Sequence, residues 1–379
     1  VAQRTLPLAS ALGTLAAAVL TAGCAAAPPP AVPVEDMTDR TAELQARLDA
    51  LRPGDTLELD AGVTYPHSGV LRVTVPDVTI DGNGATLRAT RDETSAVRIE
   101  ADGVTVTDLT LAAPPEGIRR YGEDQHKLVV SGDNATLTGV RVDGSAGAGV
   151  YLTGATNFSL RDVEVRGSRA DGVHMTGGSA YGHVESVRTS RTGDDGVAVV
   201  SYDADAAPCH DIVVRDVEVD GTTWGRGITV VGGEKVRVSR FTVRDTSSAG
   251  LYVATEGAPF FTRSVRDVVM SDGTITGANH DTDIEQGAAL VYAGNKRGRS
   301  VRGVTIADVE IAATSASAKR DVAIVDETGA GTKALGGITL RGIRLTGDEL
   351  APFYTNVPAA AFSLQEWTRD GRPLEIDPQ

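Results

Sequence analysis

The chain has 379 residues, of which 41% are hydrophobic and 23% charged, enough to bury a substantial core and, by length alone, to form two or three compact domains. Its 43 glycines, 4% aromatic content and abundance of Val, Thr and Asp describe many short strands separated by tight turns rather than helices. The formal charge of -15 excludes a partner such as nucleic acid or polyphosphate, which would require a basic stripe.

Residues 1–23 read as a targeting segment: Arg4 is followed by an uncharged stretch over residues 6–19 and then by Leu-Thr-Ala-Gly before Cys24. That pentapeptide resembles the bacterial lipobox. The resemblance implies removal of residues 1–23, lipid on Cys24, and a protein held at the extracellular face of the bacterial cell membrane by that lipid alone. A transmembrane helix fits less well, because the apolar run is short and rich in Ala, Gly and Thr. Residues 24–36, rich in Ala and Pro, then form a tether. With Cys24 lipidated, Cys209 has no intrachain partner and reads as a small buried filler, so stability must come from a stacked core and not from disulfides.

Within 38–51, Leu44, Leu48 and Leu51 fall at helical spacing, with Thr38 or Asp39 available as N-cap. A turn and an alternating strand follow over 52–65. The pairing resembles the capping helix and first coil of pectate-lyase-like β-helices, and a solenoid needs such a cap to cover its core and first strand edge.

From residue 78 one phrase recurs, as VTIDGNG, VTVTDLTL at 104, FSLRDVEVRGS at 158, IVVRDVEVDGT at 212 and ITLRGIRLTG at 338. A second alternates with it, opening on Gly149, Gly172, Gly196, Gly227 and Gly250, which are 23, 24, 31 and 23 residues apart. Three strands of about five residues plus turns per coil suit a solenoid period. The expected fold is thus all-β: one right-handed parallel β-helix domain over 37–379 with a short N-terminal capping helix, expected to be a monomer. The 31-residue interval accommodates a loop over 201–209. In this register Val150, Val173, Val197, Ile228 and Leu251 point inward, and Tyr151, His174, Ala198, Thr229 and Tyr252 point outward.

Just before those strands, Ala148, Asp171, Asp195, Arg226 and Ala249 form one column, with Asp194 beside Asp195. Stacked carboxylates cannot all ionise freely, so at least one carboxyl should hold its proton towards neutral pH, as a general acid requires. Trp224, Tyr202, Tyr252, Tyr151 and His174 gather around the column at outward positions suited to stacking on sugar rings, with Glu234 and Glu256 as hydroxyl acceptors.

The arrangement resembles the polygalacturonase-like glycoside hydrolases of the pectin-lyase-like superfamily. Their Asn-Thr-Asp-Gly motif appears here as Arg169-Ala170-Asp171-Gly172, and their Gly-Asp-Asp as Gly193-Asp194-Asp195. The resemblance implies Asp194 as general acid and Asp171 with Asp195 as the water-activating pair, with inversion at the anomeric carbon. It departs where the family has histidine, at Arg226, and where it has arginine and lysine, at Tyr252 and Ala254. Since those basic residues hold a uronate carboxylate, the implied substrate is a polysaccharide other than plain galacturonan, and no cofactor is expected.

Other readings stand beside this one. Asp-Gly occurs at eight places and is primarily a turn device, the glycine taking a positive φ. Arg226 can serve as a salt-bridge partner, and the tyrosines as ordinary strand residues. His174 is a sugar contact or surface residue, since the six histidines show no metal-binding spacing and no metal site is expected. The acidic stretch 280–287 reads as a solvated loop. Two further functions remain open: a polysaccharide lyase or epimerase with Arg226 as base and calcium on Asp171 and Asp195, and a non-catalytic carbohydrate-binding solenoid.

Overall fold

The computed structural model describes residues 36–347 and 350–377; Cys24, the targeting segment and all of the tether but Asp36 lie outside the described residues. The chain divides into Val1–Asp36 and Met37–Gln379, and the second unit is a coiled stack of strands. Among the described residues the strands form two sheets, one of 19 and one of 11 members, parallel throughout except for a terminal pair at 368–373. This is a right-handed parallel β-helix, as the repeat predicts.

The helix runs over Thr41–Asp49, two residues inside the expected start, with Arg40 at the N-cap position. Asp39 still organises its first turn, accepting from Thr41 N at 3.0 Å and from Ser68 Oγ at 2.6 Å. Leu44 and Leu48 are buried in the core, and Leu51 packs against it half-buried. Gln45 donates to Arg72 O at 3.0 Å and accepts from Arg72 N at 2.9 Å. A side-chain amide thereby supplies the partners that a neighbouring strand would give to Leu71–Val73, the first strand of the smaller sheet.

The register of the smaller sheet follows the glycine alignment. Val150 pairs with Val173, then Val197, Ile228 and Leu251, and all five are at most 1% exposed. In the larger sheet two of the three strand segments of each coil fuse into one bent strand, such as Ser159–Ser168, His183–Thr192 and His210–Thr222. The bend is taken by one left-handed residue per coil, stacked as Asp162, Ser186, Asp216, Arg240 and Asp272.

The Asp-Gly pairs divide into two kinds. Gly103, Gly144, Gly221 and Gly371 take positive φ, as a turn demands. Gly172 and Gly196 do not: a Cβ would lie 2.5 Å from Gly196 O in the first case and 2.6 Å from the Val219 methyls in the second. These glycines exist so that neighbouring coils can approach closely at the turn bearing the aspartates. Their N–H groups donate to the Asp195 and Arg226 carbonyls of the next coil, at 2.9 Å each.

Cys209 is fully buried at the end of the 201–209 loop, and burial pushes its thiol up to about 11, which fits an inert filler.

Candidate active site

The coil stacking brings Asp171, Asp194 and Asp195 together with oxygens within 4.8 Å of one another. Each is fixed by its neighbours. Asp171 Oδ1 accepts from Asp195 N at 2.9 Å, and its Oδ2 from His174 Nδ1. Asp195 Oδ1 accepts from Arg226 N at 2.8 Å, and its Oδ2 from Thr229 Oγ1 at 2.9 Å. Asp194 faces Arg119, whose Nη1 lies 2.6 Å from Oδ2.

Burial governs the electrostatics. Desolvation, reinforced by the Asp171 charge, pushes Asp194 up to about 6 against the pull of Arg119. Burial, together with Asp194, raises Asp195 well above the ordinary carboxylate range. Asp194 and Asp195, adjacent in one desolvated site, therefore retain protons towards neutrality. The same oxygens can hold a divalent cation.

The surrounding cleft, about 220 Å³, is lined by Arg119, Tyr121, His174, Tyr202, Trp224, Arg226, Glu256 and Phe260 besides the aspartates. Arg226 is held by Asp195 at 3.9 Å, Glu256 at 3.4 Å and Gln286 Oε1 at 3.3 Å, over the Tyr252 ring at 4.1 Å. Its proton is bound more tightly than in free arginine because anionic and phenolic groups surround it. From the 201–209 loop Tyr202 lines the cleft, bridged to Thr262 and with its carbonyl accepting from Arg263 Nε at 3.2 Å.

Of the residues singled out in sequence, the cleft gathers Asp171, Asp194, Asp195, His174, Tyr202, Trp224, Arg226 and Glu256. Tyr252 points outward as its register requires, but Arg226 covers it and leaves it 3% exposed in an adjoining cleft. Tyr151 is half-buried, stacked between His126 at 4.1 Å and His174 at 5.2 Å, so its ring faces are occupied by protein. Glu234 lies elsewhere. It follows the turn at Gly232, where the chain has already passed into the larger sheet, and it sits 3.5 Å from Arg266. His174, expected as a sugar contact or surface residue, is 7% exposed, lines the cleft and is engaged by Asp171 through Nδ1.

The sequence reading missed Arg119, Tyr121, Phe260 and Gln286. Arg119 and Gln286 come from long inter-strand segments with no repeat register, and no spacing ties either to the aspartates. Half of the stretch 280–287 is exposed, at residues 280, 282, 283 and 285, while Gln286 reaches back to Arg226 and to Ala249 N, each at 3.3 Å.

Residues 95–266 match the family model described as right handed beta helix region. No curated protein sequence matches the chain. Among solved structures, the catalytic domain of a GH87 alpha-1,3-glucanase in complex with nigerose is similar at a TM-score of 0.66 and 16% identity, covering 91% of this chain and 68% of its own. The catalytic unit of a thermostable GH87 alpha-1,3-glucanase from Streptomyces thermodiastaticus strain HF3-3 matches at 0.62 and 18%, covering 92% and 70%. An endo-xylogalacturonan hydrolase from Aspergillus tubingensis matches at 0.62 and 16%, covering 88% of this chain and 97% of its own. This chain thus spans about two thirds of the glucanase domains and nearly all of the fungal hydrolase. At these identities the likeness is one of fold: the chain has a right-handed parallel β-helix. Three further GH87 alpha-1,3-glucanase structures with bound nigerose or tetrasaccharides carry single aspartate-to-alanine substitutions, at one isolated position and at an adjacent pair downstream. Residue for residue, that spacing equals the spacing of Asp171, Asp194 and Asp195.

Proposed function

We propose that this protein is a glycoside hydrolase that cleaves a polysaccharide by acid–base catalysis, with Asp194 as general acid and Asp171 with Asp195 activating water. The observation that carries the reading is the carboxylate triple at the base of an aromatic-lined cleft, with Asp194 poised near neutrality. One carboxyl must donate a proton to the leaving oxygen while another remains a base; burial raises Asp195 as well as Asp194, so the base of the water-activating pair is Asp171, with Asp195 helping to hold the water. The aspartate spacing shared with the alpha-1,3-glucanases supports the same reading.

Trp224, Tyr202, Arg226 and Glu256 are the substrate contacts, with His174 orienting Asp171. The preferred substrate is a neutral glycan. Among the described residues lining this cleft, Arg119 and Arg226 are the arginines, and both are already paired with carboxyls and so not open to a uronate. A neutral α-1,3-glucan is the first polymer to test and a substituted galacturonan the second. Inversion is the expected stereochemistry from the family resemblance, although carboxyl groups this close suit retention by simple separation; anomer-resolved NMR of the first product decides it. The protein acts as a monomer without cofactor, presented outside the membrane by lipid on Cys24.

Replacing Asp194 by Asn tests the assignment: an unchanged rate of reducing-end release overturns it. A lyase reading draws on the cation-holding geometry of the three aspartates. Its base would be Arg226, yet Arg226 is surrounded by groups that tighten its hold on its proton. Unsaturated products abolished by a chelator would favour that reading.

A further inference from the structure

Residues 114–126 join the strand Thr110–Ala112 to Leu128–Val130 and climb past two further coils to reach the carboxylates. Arg120 N donates to Ala146 O at 2.7 Å, and Arg120 Nη2 meets Glu93 at 2.5 Å. Arg98 holds Glu123 at 2.7 Å and Asp124 at 2.9 Å across the outer face of the smaller sheet. His126 lies flat on Tyr151. At the top, Arg119 rests on Asp194, flanked by the rings of Tyr121 and Trp224.

The climb is anchored by Arg169, whose side chain is 11% exposed. Its guanidinium meets Asp92 at 2.6 Å and donates to three carbonyls of the segment, Pro114 at 2.7 Å, Glu116 at 2.5 Å and Ile118 at 3.3 Å. Gly117 answers it with φ +144 and leaves no room for a Cβ, which would stand 2.8 Å from Arg169 Nη1. Arg169 is one of the two positions at which the chain departs from the Asn-Thr-Asp-Gly pattern.

The other side of the carboxylates differs. There the cleft continues through Arg226, Glu256 and Phe260 into a second one of about 620 Å³, lined by Tyr252, Tyr292, Arg320 and Tyr354. The larger of these two adjoining clefts therefore lies on the C-terminal side of the aspartates.

We propose that the segment 114–126, locked by Arg169, closes the N-terminal end of the groove, so that the enzyme works from a chain end and releases a short product of fixed size. Internal cleavage needs the polymer to continue on both sides of the scissile bond. Here one side is roofed by Arg119, Tyr121 and the ring stack below them, and among the described residues the open path for the chain runs over Arg226, Tyr292 and Tyr354. Arg169 is a positioning residue, acting through the segment it holds. The proposal rests on the hydrolase reading.

The test uses the full chain on α-1,3-glucan and on α-1,3-gluco-oligosaccharides labelled at the reducing end. Expected is a single small product from the earliest times, with the residual polymer near its starting length. Arg169→Ala, checked by circular dichroism for an unchanged fold, should broaden the early products and shorten the residual polymer several-fold more per bond cleaved. Asp92→Asn, which loosens the same anchor, should do so more weakly and serves if Arg169→Ala fails to fold. A broad ladder of products from the wild-type protein at the earliest times overturns the chain-end proposal while leaving the hydrolase intact. Absence of hydrolysis on these and all other glycans overturns the hydrolase reading and this proposal together.

Discussion

Two grooves on this solenoid both bring carboxyls and guanidiniums together and behave in opposite ways. On the larger sheet, Glu164, Arg188, Asp216, Glu218 and Arg240 border a groove of about 480 Å³, larger than the 220 Å³ cleft of the aspartate triple. There Glu164, Asp216 and Glu218 each meet a guanidinium from a neighbouring coil, and Arg240, hydrogen-bonded to Asp216, holds that carboxyl below its usual range. In the cleft three carboxyls share Arg119 and Arg226 out of water, and burial drives Asp194 and Asp195 upward instead. Both grooves follow from coil register. Burial and an unequal count of charges keep protons on carboxyls in one of them, whereas the other is a solvated ladder of weak pairs.

The sharpest test of this contrast is to remove one carboxylate from each groove. Asp194→Asn should lower the rate of reducing-end release by about 10²–10⁴-fold, the range for loss of a positioned general acid. Glu218→Gln, whose side chain is 49% exposed, should leave that rate unchanged. Equal losses in the two variants would erase the distinction.

The pH profile comes next. An acid with its proton near 6 is competent below that value and loses competence as pH rises through it, so activity should fall about tenfold per pH unit on the alkaline side. Arg119 favours the ionised form of Asp194. Arg119→Ala should therefore move this limb to higher pH, by about one to three units for removal of a close opposite charge. A limb that stays in place would show that Arg119 does not act on the titrating group.

Smaller effects are expected on stability. Thr229→Val removes the hydroxyl that satisfies Asp195 Oδ2, leaving a buried carboxyl short of a donor, at a cost of about 1–3 kcal/mol in denaturant unfolding. The pair Arg188–Glu218, at 3.5 Å in solvent, should give about 0–1 kcal/mol in the same measurement.

The legible part of the molecule was the part written in periodicity. Alternation in the recurrent phrases fixes which residues face inward, and aligned glycines set the register, so Asp171, Asp195, Arg226 and Thr229 were placed on one strip from the sequence. Asp194 was legible because a doubled aspartate is not required by a turn. Glu234 was misplaced because the register ends at Gly232, where the chain turns into the other sheet and adjacency in sequence ceases to mean adjacency on the strip.

The sequence by itself therefore determined the solenoid, its capping helix and the convergence of three aspartates, since a fixed repeat converts distance along the chain into stacking. Only the tertiary structure decided which of those carboxyls keep their protons, and how the groove ends. Both depend on segments without repeat, above all residues 114–126, whose Arg119 reaches Asp194 across coils that no periodic pattern connects. Burial and long-range ion pairing belong to the assembled surface, and a one-dimensional pattern carries them only where the coils are regular.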